Sequence, residues 1–267
     1  MRRRSMAEAR SVPFRGGAIV PRAQRGAGTL ALLGLVALWQ AASSAGLVSP
    51  IFAPSPIDVG RALWAMLKSG ELAAHLAASL GRFLSGFAIG GTAGVAFGLA
   101  VGLSSVMRAP GATVVAALFP IPKIALLPLF ILWFGIGEAS KVATIAFGTF
   151  FPTVIATYGA VDNVDRSLVR MGRSFALSPA AIVAKIILPG AVPGILSGLR
   201  IAASIGVVLL VAAEMIGAEQ GLGALVLAAG NLMQSDRLLA GVVVLSMLGL
   251  LIAAFIGAVE RHLLRWR

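Results

Sequence analysis

Few side chains in this chain could do chemistry, and they are scattered. His75 and His262 are the only histidines, and cysteine is absent. Thiolate chemistry, disulfides and Cys-based metal sites are therefore excluded. His75 falls in a segment read as an outer loop, and His262 in the C-terminal tail. Neither lies near carboxylates at metal-ligand spacing, so no metal is expected. No catalytic set is legible, so the chain is not read as an enzyme. The stretch GIGEASK, Gly135–Lys141, superficially resembles a phosphate loop. It lacks the G-x-x-x-x-G-K-[ST] spacing with which backbone N–H groups and a lysine cradle phosphates. Nucleotide, if used, must be bound by another polypeptide.

Three charges stand out because their surroundings are apolar. Glu214 is the only acid inside an apolar run. Such acids face a cavity or a partner, and Glu214 reads equally as lining an interior cavity or sitting at the outer membrane edge. Arg200 precedes it on the same run by about 21 Å, at ~1.5 Å per helical residue, so the two cannot pair within one helix. Lys123 sits among Pro120, Pro122 and Pro128. A buried lysine there is a functional candidate; the plainer reading is that it snorkels to the cytoplasmic edge.

The elements that must position these groups are membrane helices. Hydrophobic residues make up 58% of the 267 and charged residues 12%, against about a quarter charged in soluble domains. A spanning helix needs ~20 mostly apolar residues. Six candidate spans appear: Thr29–Leu47, Ser79–Leu103, Thr113–Phe134, Val142–Val161, Ala191–Ile216 and Leu238–Val259. The first follows an arginine-rich stretch and is read as an uncleaved helix, because no clear cleavage site ends it. Residues 1–28 form a basic tail, and residues 29–267 form the transmembrane domain, with its core at 75–260.

The net charge of +12 would suggest nucleic acid in a soluble protein. Here the charges lie between apolar runs and report topology instead, so no nucleic-acid partner is expected. Placing both termini in the cytoplasm puts most Lys and Arg inside, including Arg108, Arg166, Arg170, Arg173, Lys185 and Arg261. The outer side keeps only Arg61, Lys68, Lys141 and Arg237, as the positive-inside rule requires. Between the first two spans, Val59, Leu63, Met66 and Leu67 predict a short amphipathic helix on the outer surface.

Gly86, Gly90, Gly94, Gly98 and Gly102 recur at a step of four, which lets helix backbones approach closely in lipid. Gly194, Gly198, Ala202 and Gly206 repeat the device. Ordinary bundle packing accounts for most of these glycines. The three prolines of the third span should break it. Broken helix at membrane depth survives only against protein or a water-filled cavity, so this span should face the interior.

The long basic stretch DRSLVRMGRSFALSPAAIVAKIILPGAVPGILSGLRIA, Asp165–Ala202, is amphipathic and expected to break at Ser178-Pro179 and again at Leu188-Pro189. With the Ile186-Ile187-Leu188-Pro189 run, it resembles the cytoplasmic signature of bacterial ABC importer permeases. Pro54-Ser55-Pro56, Arg82 with Gly86-Phe87, the run Ala125–Tyr158 and Ala213-Glu214-Met215 resemble the nitrate/sulfonate/taurine branch. The resemblance implies an all-α type I importer permease with a methionine-permease-like fold and about six spans. It also implies two permease chains, two cytoplasmic ATPases carrying ATP and Mg, and an external binding protein. No cofactor is assigned to this chain. The ATPase-coupling loop would be 162–190, with Arg170, Met171, Gly172, Arg173, Ser174, Ala176, Ser178, Pro179, Leu188 and Pro189. Pro128, Trp133, Glu214 and Met215 would border the substrate path. Alignment on Leu188-Pro189 puts Arg170 where the family has Glu, Met171-Gly172 where it has two Ala, and Ala176 where it has Gly. A secondary carrier or a channel is the alternative. A carrier needs inverted repeats or several buried charges, and neither is evident in the sequence.

Overall fold

The computed structural model describes residues 26–264. The basic tail assigned to residues 1–28 lies almost wholly outside them, as do residues 265–267. Among the described residues the regular structure is entirely helical.

Helix α1 (Ala27–Ser44) is apolar from Leu30 to Trp39. Its 18 residues reach about 27 Å, close to the ~30 Å hydrocarbon thickness. Most of its leucines are exposed, and it meets the rest of the chain chiefly near α2. Helix α2 (Pro56–Lys68) is the expected amphipathic helix. Pro56 opens it and Ser55 caps it, accepting from the Asp58 N–H at 3.2 Å. Val59, Ala62 and Met66 face inward onto a cluster with Leu72, Leu222 and Leu248.

Four helices are long and apolar enough to cross a membrane. They are α3 (Glu71–Leu103), α6 (Glu138–Asp162), α9 (Leu188–Gly217) with its preceding turns, and α11 (Ser235–Leu263). The third expected span differs from a plain helix. It starts at α4 (Ser105–Leu118), leaves the helix at Phe119–Pro122, and resumes through a 3₁₀ turn (Lys123–Leu126) into α5 (Leu127–Phe134). The two halves are bent by 86°. Pro120 and Pro122 lack the N–H groups that would carry the ladder across.

The core is a trio with α6 in the centre. On one side the α3 glycines meet it residue for residue. A Cβ on Gly94 would lie 2.7 Å from Thr153 Cβ, and one on Gly98 2.6 Å from Thr157 Cβ. On the other side Gly194 meets Ala160, and Gly206 meets Thr149. The step of four is thus a backbone-contact seam. Thr149 and Thr153 turn their hydroxyls back to the carbonyls of Ile145 and Thr149. Their methyl groups are left to pack against the glycine face.

Ion pairs mark the two ends. Arg108 with Asp162 joins the first turn of α4 to the end of α6. Arg237 with Glu71 joins the start of α11 to the start of α3. We call these the α7 end, after helix α7 (Arg166–Ser174), and the α2 end.

Two elements depart from the sequence expectation. Span two begins at Glu71, eight residues earlier than expected, so His75 lies on α3 and not in a loop. Its polar residues Glu71 and His75 had hidden the first two turns. Similarly, His262 lies in the last turn of α11. After span five comes α10 (Leu222–Asn231), a ten-residue helix with Leu222–Leu225 buried. Gly221 and Gly223 make that segment read as a loop.

Candidate functional site

At the α2 end, four helices converge on Arg82. It is only 5% exposed, although it sits in an apolar helix. Its Nε and Nη2 form a fork on the two Glu138 carboxylate oxygens at 2.5 and 2.6 Å. Its Nη1 donates to Glu214 Oε1 at 2.7 Å and to the Gln220 carbonyl. Such paired, multiply bonded geometry is what a buried charge requires.

Glu214 is 1% exposed. Ser79 Oγ donates to its carboxylate at 2.8 Å, and the Gly223 N–H donates to Oε2 at 2.9 Å. The carboxylate therefore sits on the N-terminus of α10, where N–H groups are unpaired and the helix dipole is positive. Ser79 Oγ also accepts from the Leu222 N–H at 2.8 Å, so its own proton can only go to Glu214. His75 Nδ1 accepts from the Gly221 N–H at 3.0 Å. Gly221 has φ 138°, and a Cβ there would come within 2.6 Å of Glu214 Oε2. Glycine is required by both backbone and space. One acid thus ties α3, α9 and α10 together, and Arg82 adds α6.

Of the two sequence readings of Glu214, the structure gives neither in simple form. It is interior, but this chain's own donors occupy its carboxylate. Met215, the next residue, is 38% exposed. Arg200 finds its partner in Glu260 of α11. Sequence reasoning missed Arg82, Ser79 and Glu138 as partners. The available signal was one arginine inside an apolar run, matched to one acid inside another.

The broken span forms a second feature. Pro128 lies in the first turn of α5 and is exposed, and Trp133 is 61% exposed. Phe119 and Leu132 are open beside them. The face expected to be interior is therefore uncovered in the single chain.

The third feature lies at the α7 end. Asp165 caps α7 (Arg166–Ser174), accepting from the Ser167 N–H at 2.7 Å. That bond holds the Asp165 carboxyl below its ordinary value. Arg170, Arg173 and Ser174 are exposed, and Gly172 is buried. Leu168, Met171 and Phe175 are exposed at 44%, 52% and 75%, spaced i, i+3, i+7. A Cβ on Gly172 would lie 2.8 Å from Ile186 Cδ1, so glycine lets α7 seat on the next segment. Ala176 turns the chain with φ 54°, the conformation that suits the family's glycine. Ser178 caps α8 (Pro179–Ile182), and Pro179 opens it.

The expected break at Leu188-Pro189 is absent. Pro179–Gly217 runs as one helical rod of 39 residues. A π turn at Val183–Ile187 absorbs Pro189, because the ring would otherwise strike the carbonyl four residues back. Leu188 and Pro189 are half-buried at the start of α9.

Long apolar helices packed around a buried polar hub, with an exposed amphipathic helix at one end, define a polytopic membrane protein. The comparisons agree. Residues 86–265 match the family of binding-protein-dependent transport system inner membrane components, and the chain belongs to that family. It is an inner-membrane, multi-pass permease subunit of an ABC importer, a system that works with an ABC ATPase and a substrate-binding protein. It is 42% identical over 88% of its length to SsuC of Escherichia coli K12, named as an aliphatic sulfonates transport permease, covering 89% of that protein. It is 36% identical over 90% of its length to the taurine transport system permease protein TauC of the same organism, covering 88% of that protein. A chain of the MetNI methionine ABC transporter, in an inward-facing form, superposes with TM-score 0.59 at 22% identity. It covers 69% of this chain and 94% of that one, which establishes the fold.

Proposed function

We propose that this permease carries a small organic anion inward, an aliphatic sulfonate or taurine, in an assembly of two copies, two ATPases and an external binding protein. The α7 end is cytoplasmic, as the lysine and arginine asymmetry of the sequence favours. ATP and Mg reside on the ATPases. The observation that carries the reading is the apolar face of α7 coupled to the 39-residue rod. A single exposed Leu would mean little, but three at helical spacing form a docking stripe. Arg170 and Arg173 flank it with positive charge.

The second copy covers the face of the broken span, since lipid cannot satisfy irregular backbone at membrane depth. Pro128, Trp133 and Met215 then border the path between the copies. When the ATPases close, α7 moves, and Gly172 transmits the shift to the π turn and along α9. Its far end is Glu214, where α3, α6, α9 and α10 meet. Glu214 acts as the fulcrum of the outer gate, placing Met215 and the α10 loop.

The test is ATP hydrolysis by the purified permease–ATPase complex. Binding protein loaded with a sulfonate should stimulate hydrolysis, and Phe175→Asp should abolish the stimulation by detaching the ATPase. Unchanged co-purification of Phe175→Asp with the ATPase would refute α7 as the dock. Arg170 has reversed charge relative to the family acid, so the cognate ATPase should present a matching acid. A tighter complex with Arg170→Glu would contradict that match.

A further inference from the structure

Lys123 does not snorkel. It belongs to the 3₁₀ turn beyond the break in span three. Its Cγ lies 4.0 Å from where a Cβ on Gly148 would be, and its Nζ lies 5.7 Å from the centre of the Phe151 ring. In α6 (Glu138–Asp162), Gly148 is ten residues from one end and Phe151 eleven from the other. At ~1.5 Å per residue these positions bracket the helix midpoint, about 15 Å from either end. The ammonium is therefore at mid-membrane depth.

Its surroundings hold the ammonium without neutralising it. Nζ donates to the Phe119 carbonyl, four residues back. It stands 4.5 Å from the Phe119 ring centre, and the Phe151 ring lies on another side. Aromatic faces attract a cation but carry no charge. Among the described residues no carboxylate lies within 4 Å of it, whereas Arg82 has two and Arg200 has one. An ammonium has three N–H donors, and one carbonyl uses one. The residue is half-exposed, beside the open Phe119 ring on the broken span. Lipid cannot cover that face, and a lone charge at this depth faces a polar route.

We infer that Lys123 binds the anionic head of the transported solute at the midpoint of the path, its two free N–H groups meeting the oxygens of a sulfonate. The assignment rests on the importer reading above. Two copies bring two such ammonium groups to the shared face, enough to draw a monoanion out of water without retaining it on a single full ion pair.

Cysteine is absent from this chain, so Lys123→Cys introduces a single thiol into the permease. The variant is reconstituted in vesicles with its ATPase and binding protein, and uptake of ethanesulfonate is followed. Uptake should fall by about tenfold or more. Modification with 2-aminoethyl methanethiosulfonate, which returns an ammonium to that position, should restore much of it. The sulfonatoethyl reagent should react without restoring uptake, and added ethanesulfonate should slow both reactions. Lys123→Arg should retain most uptake, and Lys123→Met should lose it while still co-purifying with the ATPase. Wild-type rates in Lys123→Cys, inertness to both reagents throughout the ATP cycle, or equal loss in Arg and Met would each overturn the assignment. A wild-type complex that takes up neither ethanesulfonate nor taurine would instead overturn the sulfonate reading itself, and Lys123 with it.

Discussion

Replacing Glu214 by Gln changes one oxygen to NH₂ and removes one charge, with almost no change of shape. The cost follows from the donors around it. One carboxylate oxygen accepts from Arg82 Nη1 at 2.7 Å and the other from the Gly223 N–H at 2.9 Å. Neither donor can become an acceptor. Ser79 can offer the amide only its second lone pair, because the first already accepts from the Leu222 N–H. Whichever way the amide is turned, its NH₂ opposes a buried donor, and that donor loses its acceptor at ~1–3 kcal/mol for an unsatisfied group. Arg82 keeps Glu138, so its charge is only partly uncompensated. The expected loss is about 3–5 kcal/mol, the range for breaking a buried ion pair from one side. Denaturant titration of the purified permease would measure it. The double variant Arg82→Met/Glu214→Leu should be less destabilised than the sum of its singles, a coupling of at least ~1 kcal/mol. A Glu214→Gln protein within about 0.5 kcal/mol of wild type, the range of ordinary surface changes, would refute the hub.

Ala176→Gly should raise stability by ~1 kcal/mol, because φ 54° costs an L-residue that much and glycine nothing; calorimetry showing a loss would contradict the assigned turn. Gly94→Ala should lower stability by about 1–3 kcal/mol, since its Cβ would also lie 2.8 Å from the Phe150 carbonyl. Gly249→Ala, with nothing within 4 Å, should be neutral or slightly stabilising in the same assay. Thr157 Oγ1 is buried without a hydrogen-bond partner, so Thr157→Val should stabilise by ~1 kcal/mol. A loss there would mean that the hydroxyl has a partner in the assembled transporter.

The spans were legible because lipid imposes a strong one-dimensional signal, and most ends were placed within a few residues. The glycine step of four was legible as close packing. Its partner was not, since nothing in α3 says that Thr153 and Thr157 of α6 will face Gly94 and Gly98. The prolines announced a break in span three, but the 86° bend depends on where α6 holds the second half. At Leu188-Pro189 the same reasoning failed, because a π turn can absorb a proline that a plain helix cannot. The hub was half legible: Glu214 stood out, while its partners are 132 and 135 residues away in sequence. Helix α10 was hidden by glycines that turned out to be what lets its N-terminus reach Glu214.

In the proposed mechanism this chain moves solute only when an ATPase pushes it. The most direct test is uptake of a labelled sulfonate into vesicles holding the permease, its ATPase and its binding protein. Uptake should need all three together with ATP, and should persist when proton and sodium gradients are collapsed. Uptake by the permease alone, driven by an ion gradient, would contradict it.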